Sequence, residues 1–536
     1  MKHVLTVLGV VAFGLALAQT APSVVNVAPN GNDQSGDGSL GKPFATLAKA
    51  ASVAVAGQTI KLAAGTYTET KPAVVAPRVS IEGAGEAQTI ISSSGVEIAP
   101  GVDVKNKDFK LWYDGSVIQL VSAPYPAPNP RYGKPSELLD TVDGSQTLSG
   151  FTVEGNRTTK AGVWVENRSN VTMHDVTIRN MKERGAVFAK GDLWWYEALP
   201  DGKWMRNTRL YNLTFVNTGT DLADESLGNL NIGGLEGAEI FNIKINDILG
   251  YGIKFIYVGH FRNVKIHDCV IRVSERDDKW GEDISIELWN LDKGNEVYNI
   301  DANTWFSFVN QWQIVKYLPQ GDEAENLKLH DSKIVDLDGL SGKESVELML
   351  AGAQVYNNYF QDKGFGLAVW GVQNPLKNYV IRNNVFANPN RAPRLGFGNS
   401  AAVFVPDVAT NFKIYNNVFD RMGYGLSLDK ARGVDVRNNV FLNSDTLDVY
   451  GGQGLTFTNN LKFDTDPKKL KWGVSALQPD ASNLLADPMF RRTGDPAMNF
   501  YVPSSANSPV LGAGFDTGMF GGAKPFIGAF NLEGKR

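Results

Sequence analysis

Lys413–Arg421 (KIYNNVFDR) and Asp435–Asn443 (DVRNNVFLN) are two copies of one nine-residue pattern, and that pattern decides the fold. Working outward, the same pattern occurs at Thr172–Asn180 (TMHDVTIRN), Arg209–Asn217 (RLYNLTFVN), Glu239–Asp247 (EIFNIKIND) and Lys265–Val273 (KIHDCVIRV). It recurs at Glu296–Thr304 (EVYNIDANT), Lys328–Asp336 (KLHDSKIVD), Gln354–Asp362 (QVYNNYFQD), Val380–Asn388 (VIRNNVFAN) and Thr456–Asp464 (TFTNNLKFD). Starts fall 21 to 37 residues apart, with 26 recurring. A short period with variable insertions marks a solenoid. Apolar residues alternate within each unit, as Val176 does with Ile178, and most are β-branched or aromatic. Such units are strands, not helices.

The Asn-Asn or His-Asp pair at the middle of most units has a structural reason to be there. A coil of strands must turn sharply on every rung, and Asn tolerates the left-handed backbone of a tight corner. Stacked at about 4.8 Å per coil, equivalent amides can hydrogen-bond up and down as a ladder. His174, His267 and His330 are read as occupying the same corner position, so they are structural and not catalytic.

The Asn-Asn-Val-Phe repeats, together with an opening of Val27-Ala-Pro-Asn-Gly-Asn-Asp33, Lys42–Ala50 (KPFATLAKA) and Gly57–Tyr67 (GQTIKLAAGTY), resemble the pectin-lyase-like superfamily. The C-terminal Ala486–Phe490 (ADPMF), Ser508–Gly514 (SPVLGAG) and Ile527–Phe530 (IGAF) fit the same resemblance. It implies an all-β, right-handed parallel β-helix over nearly the whole chain. It does not imply an activity, because the superfamily includes lyases, hydrolases, epimerases and proteins without known catalysis, and fold alone does not set function.

Residues 1–18 carry Lys2, an apolar run from Val4 to Leu17 and a small-residue ending, Ala16-Leu-Ala18, which reads as a secretory signal peptide. Later segments lack 18 uninterrupted apolar residues, so no membrane span is expected. The single cysteine, Cys269, lies inside a repeat strand and is expected as a small buried hydrophobe. A solenoid of this length buries enough core to need no disulfides. The formal net charge of −5 argues against nucleic acid as a partner. The expected state is a secreted monomer whose partner is a polysaccharide.

The repeat map divides the chain into the signal peptide, an N-terminal module over 19–78, coils over 79–464 and a C-terminal cap over 465–536. Phe44–Val55 (FATLAKAASVAV) reads as an amphipathic helix able to cover the open first coil. A Pro-rich loop, Pro124 to Pro135, interrupts the early coils.

Function is sought on the outer face of the strand that follows each repeat. Alternation in Ile284–Trp289 (ISIELW) turns Ile284, Ile286 and Leu288 inward, and Asp283, Ser285, Glu287 and Trp289 outward. The same reading turns out Lys254, Gln311, Gln313, Glu347 and Trp370, so charged and aromatic residues converge on the central coils. Nine of eleven tryptophans lie between Trp164 and Trp370. Trp194, Trp195 and Trp204 belong to one long insertion, where their rings suit either stacking on sugars or packing of the loop onto the barrel. Trp305 and Trp312 are assigned to core packing.

Two chemistries could use this ladder. Glu287 and Glu347, with Asp283 as a third carboxylate, match a glycoside-hydrolase acid pair if the coil between them carries Gln311 and Gln313. A lyase would use Lys254 as base, but it needs further cations to neutralise a uronate, and only Lys316 and Arg272 are near in the sequence. Asp277-Asp278 and Asp221/Asp224/Glu225 could take calcium, yet their spacing follows no metal-loop pattern, so no cofactor or metal site is expected. The reading favours a secreted polysaccharide-degrading enzyme, glycosidase before lyase, with a non-catalytic envelope or matrix protein as the alternative. Trp289, Trp370, Gln311 and Gln313 are its expected substrate-binding residues.

Overall fold

The computed structural model describes residues 23–97, 115–121, 140–190, 199–219, 228–247, 254–273, 284–304, 307–313, 326–336, 344–361, 364–371, 375–388, 400–495, 497–518, 520 and 523–529. Residues 1–18, the loop 124–135, Trp194, Trp195, Asp221, Asp224, Glu225, Asp277, Asp278, Asp283, Trp305 and Lys316 lie outside them, as does the side chain of Lys254.

The repeat units pair in strict order. The first residue of each unit stands opposite the first residue of the next, from Thr172 through Arg209, Glu239, Lys265, Glu296 and Lys328. The series continues through Gln354, Val380, Lys413 and Asp435 to Thr456, and every one of these pairings is parallel. Thirty-seven strands among the described residues join in one hydrogen-bonded wall wound round a continuous apolar core. This is a parallel β-helix.

The fourth residue of every unit, Asp175 and Asn212 through Asn459, has φ between 52° and 58°. Asn and Asp are the side-chain-bearing residues that adopt this region at least cost, because their short polar groups bond locally. The corner is therefore the conserved chemistry of the repeat within this chain. The three histidines are not at it. His174, His267 and His330 sit one residue earlier, where other units carry Tyr, Phe, Arg or Thr, and Asp175, Asp268 and Asp331 take the corner.

Three columns follow from this register. On the outside, His174, Tyr211, Phe241, His267, Tyr298, His330 and Tyr356 stack with ring centroids 4.5–5.1 Å apart and planes within 8°. The Arg382 guanidinium closes the stack 4.1 Å over Tyr356. Each histidine Nδ1 bonds the following aspartate, at 2.7, 2.7 and 2.6 Å. At the corner, Asn242 Nδ2 donates to Asn212 Oδ1 at 2.6 Å, and Asn212 Nδ2 to Asp175 Oδ1 at 2.9 Å.

The fifth residue points inward. It is apolar in the earlier units (Val176, Leu213, Ile243, Cys269, Ile300), where it joins the core. Burial pushes the Cys269 thiol up to about 12, so it behaves as the buried hydrophobe expected. From Ser332 onward the position turns polar. Asn358, Asn384, Asn417, Asn439 and Asn460 are fully buried, and each Nδ2 donates to the next Oδ1 at 2.9–3.1 Å. The same Oδ1 atoms accept backbone N–H groups, as Asn417 does from Asn384 at 3.0 Å. A buried amide is tolerable only when its polar atoms are used in this way.

Both ends are closed. The helix is Leu47–Val53, shorter than the sequence suggested, with Thr46 accepting from Lys49 N at 3.1 Å. The buried Glu69 carboxylate accepts Leu47 N at 2.7 Å and Ala48 N at 3.2 Å, and Leu47, Ala50 and Ala51 bury against the first coil. At the other end Trp472 packs edge-on against Phe441 (5.9 Å) and Phe457 (5.1 Å). The chain then turns back along the outer wall as a strap. Phe490, Tyr501, Val510 and Phe526 cover an apolar strip that includes Tyr359, Val385, Val418, Val440 and Leu461. Corner amides hold it: Asn416 Nδ2 donates to Phe526 O (2.8 Å), Asn438 Nδ2 to Phe515 O (2.8 Å) and Asn459 Nδ2 to Ala513 O (3.1 Å).

Asn417→Ala strips two buried donors of Asn384, its N–H and its Nδ2, of their acceptor. Urea unfolding should report a loss of about 2–4 kcal/mol. Unchanged stability would mean that the inner amides are incidental.

Candidate functional site

The strand after each repeat supplies the face on which function was expected. In Ile284–Leu291, Ile286 and Leu288 enter the core and Glu287 points to the outer side. Register places Tyr257, Glu287, Asn310, Glu347 and Ala368 in one column on successive coils. Glu287 and Glu347 are thus brought together, two coils apart, as the spacing required. The residue between them is Asn310.

Gln311 stands instead in the column of Leu288 and Leu348 and is fully buried. Its Nε2 donates to Gln313 Oε1 at 3.0 Å, and its Oε1 accepts Met349 N at 3.0 Å. Gln313 Oε1 also accepts Leu291 N at 3.1 Å. Both amides tie strand ends together. The expectation of an outward glutamine pair is corrected: alternation set by Val309 in the core puts Asn310 out and Gln311 in.

Trp289 and Trp312 are register partners on the outer side, with centroids 5.6 Å apart and planes at 12°. Trp370 meets Trp312 edge-on at 6.3 Å and is 37 % exposed. Trp312 therefore belongs to the face, not the core as the sequence reading had it. The Trp289 indole N–H donates to Glu287 Oε1 at 2.7 Å, which orients that carboxylate. Glu287 and Glu347 are 3 % and 5 % exposed, so they lie deep beneath the surface of this face. Asn310 Oδ1 is buried between them and meets no hydrogen-bond donor among the described residues.

Lys254 begins the strand Lys254–Arg262, and its backbone stands opposite Ile284, not opposite Glu287. It is three residues ahead of Tyr257 in the acid column. Trp204 is 3 % exposed and lies under the Arg262 guanidinium, 4.7 Å from its centroid. It packs onto the barrel and is not displayed for a ligand.

The same column continues toward the N-terminus as Asn231, Val187, Trp164 and Gln119. There Trp164 Nε1 donates to Glu166 Oε2 at 2.9 Å. Lys190 is fully buried, and burial pulls its ammonium down to about 8. Among the described residues no group of three or more His, Cys, Asp or Glu is placed to hold a metal ion, and no helix is long and apolar enough to cross a membrane.

A family model described as "Right handed beta helix region" matches residues 294–462, and one described as "Protein of unknown function (DUF1565)" matches residues 29–193. No curated protein matches the chain. Among solved structures, XylC in complex with xylose is similar at 14% identity over 80% of this chain and 86% of its own, with a TM-score of 0.43. The tailspike of E. coli bacteriophage HK620 in complex with pentasaccharide is similar at 10% identity over 80% and 71%, with a TM-score of 0.46. Pectate lyase Pel9A is similar at 15% identity over 95% and 96%, with a TM-score of 0.31.

Replacing Trp204 by Ala should lower stability by about 3–5 kcal/mol, as for a buried aromatic truncated to a cavity. Thermal unfolding checks this. Unchanged stability would return Trp204 to the displayed face. With its register and the family model over residues 294–462 in agreement, the chain has the fold of a right-handed parallel β-helix.

Proposed function

We propose that this is a secreted polysaccharide-acting protein, a glycoside hydrolase whose acid pair is Glu287 and Glu347. The observation that carries the reading is the single column of Glu287, Asn310 and Glu347 beside Trp289, Trp312 and Trp370. Two coil rises separate the acid backbones by roughly 9–10 Å. That leaves the carboxyls within reach of the about 6.5–9.5 Å span of an inverting pair, with room for one water and a sugar.

Each residue then has a role. Glu287, fixed by the indole N–H, takes a proton from water, whose oxygen bonds the anomeric carbon as the glycosidic C–O bond breaks. Glu347 gives its proton to the departing oxygen. Asn310 stands between them with an amide able to bond a sugar hydroxyl. The tryptophan rings offer flat apolar surface with polar edges, which suits pyranose faces.

The deep burial of both carboxylates supports a second reading, in which they are structural and the protein is a non-catalytic envelope or matrix β-helix. Glu287→Gln and Glu347→Gln separate the two. With neutral and uronic polysaccharides screened for reducing ends and for unsaturated products together, each variant should lose about 100-fold or more of hydrolytic rate while keeping substrate affinity. Unchanged rates remove the assignment. Unsaturated products would turn it to a lyase.

A further inference from the structure

The acid column does not end at Glu347. Register carries it on through Ala368, Phe404 and Ser427 to Tyr450. A second column beside it runs from Glu344 through Phe365 and Ala401 to Tyr424 and Leu447. Phe365 lies 4.9 Å from Phe404, and Tyr424 lies 6.1 Å from Tyr450, centroid to centroid. None of these four rings belongs to the apolar core or to the strip under the C-terminal strap. They stand on the outer face, joined to the candidate site, with no packing role inside the barrel.

Exposure along this face is one-sided. Toward the N-terminus, Gln119, Trp164, Val187 and Asn231 are 4, 5, 3 and 8 % exposed. The two acids are as deeply covered. Toward the C-terminus Ala368 and Ala401 are still covered, at 1 and 0 % exposed, whereas Phe404, Ser427 and Tyr424 are partly exposed and Tyr450 is 43 % exposed. A chain cleaved in its middle must lie across the acids and leave on both sides. The acid column is covered toward the N-terminus and through Ala368, and it opens beyond, from Phe404 to Tyr450.

We infer that the stretch from Phe365 to Tyr450 is a one-ended track that leads the terminus of a neutral, linear glycan to the acid column, so that cleavage is exo. The inference rests on the hydrolase reading for its chemistry and on the ring geometry for its binding. Successive coils rise about 4.8 Å, close to the length of one pyranose in an extended chain, so each ring meets a successive sugar. The charge pattern selects the class. From Glu344 to Tyr450 these two columns carry no lysine or arginine, and their charged members are Glu344 and Glu347. A polyuronate would meet like charge here, which disfavours it.

The test uses the full chain with cello-, xylo-, manno- and laminari-hexaose labelled at the reducing end. One of them should yield a single short product from one terminus from the first turnover. Tyr450→Ala and Phe404→Ala should raise KM for that hexaose about 10-fold at unchanged kcat, with little effect on its trisaccharide, since they remove binding remote from the reacting bond. Early internal fragments of mixed length would overturn the exo assignment and leave the acid pair standing. Equal KM in the variants would overturn the track. Hexaose binding that weakens in both variants without any cleavage would keep the track and remove the acid pair. Neither binding nor cleavage of any hexaose would remove both.

Discussion

A left-handed corner, repeated once per coil and filled by Asn or Asp, is the constraint on which the rest depends. It lets the chain turn without glycine. Because the corner falls at the same place in every unit, Thr172 and the first residues of ten later units stack in parallel register. That register then decides everything carried by the strands. The third residue enters an outer ring stack, the fifth an inner amide ladder, and the strand beyond brings Glu287 and Glu347 into one column though sixty residues separate them.

The His-Asp pairs follow from the same geometry. An ionised Asp at the corner can accept from a neighbouring amide, as Asp175 does from Asn212, but it cannot donate onward. Its second oxygen needs a local partner, and the preceding histidine supplies one through Nδ1. The bond from His174 is the main cause that holds the Asp175 carboxyl below its ordinary range. Units with Asn at the corner need no such neighbour and carry Tyr, Phe, Arg or Thr there instead. The histidines thus serve the stack and the corner at once.

The period and the corner residues could be read directly from the chain, because both depend on local sequence and both repeat. What escaped was governed by single-residue register. The His-Asp pairs put two polar residues side by side, and only the φ of Asp175, Asp268 and Asp331 tells which one turns. Alternation read one residue out of step turns Gln311 and Gln313 outward, whereas Val309 fixes the true phase and their amides bond strand ends inside. The signal that could have found Asn310 and Trp312 was that same valine. The depth of the acids had no local signature.

The strap adds an order of events to a fold otherwise built from neighbours. Early coils bond to residues about one repeat away, so each can settle as soon as the next is made. The later coils differ, since Lys333 meets Asp495 and Asn416 meets Phe526. The outer wall that begins at Tyr359 stays greasy and unclad until the segment through Phe526 is in place. These windings are thus finished backwards, sealed by residues that follow them by more than a hundred positions.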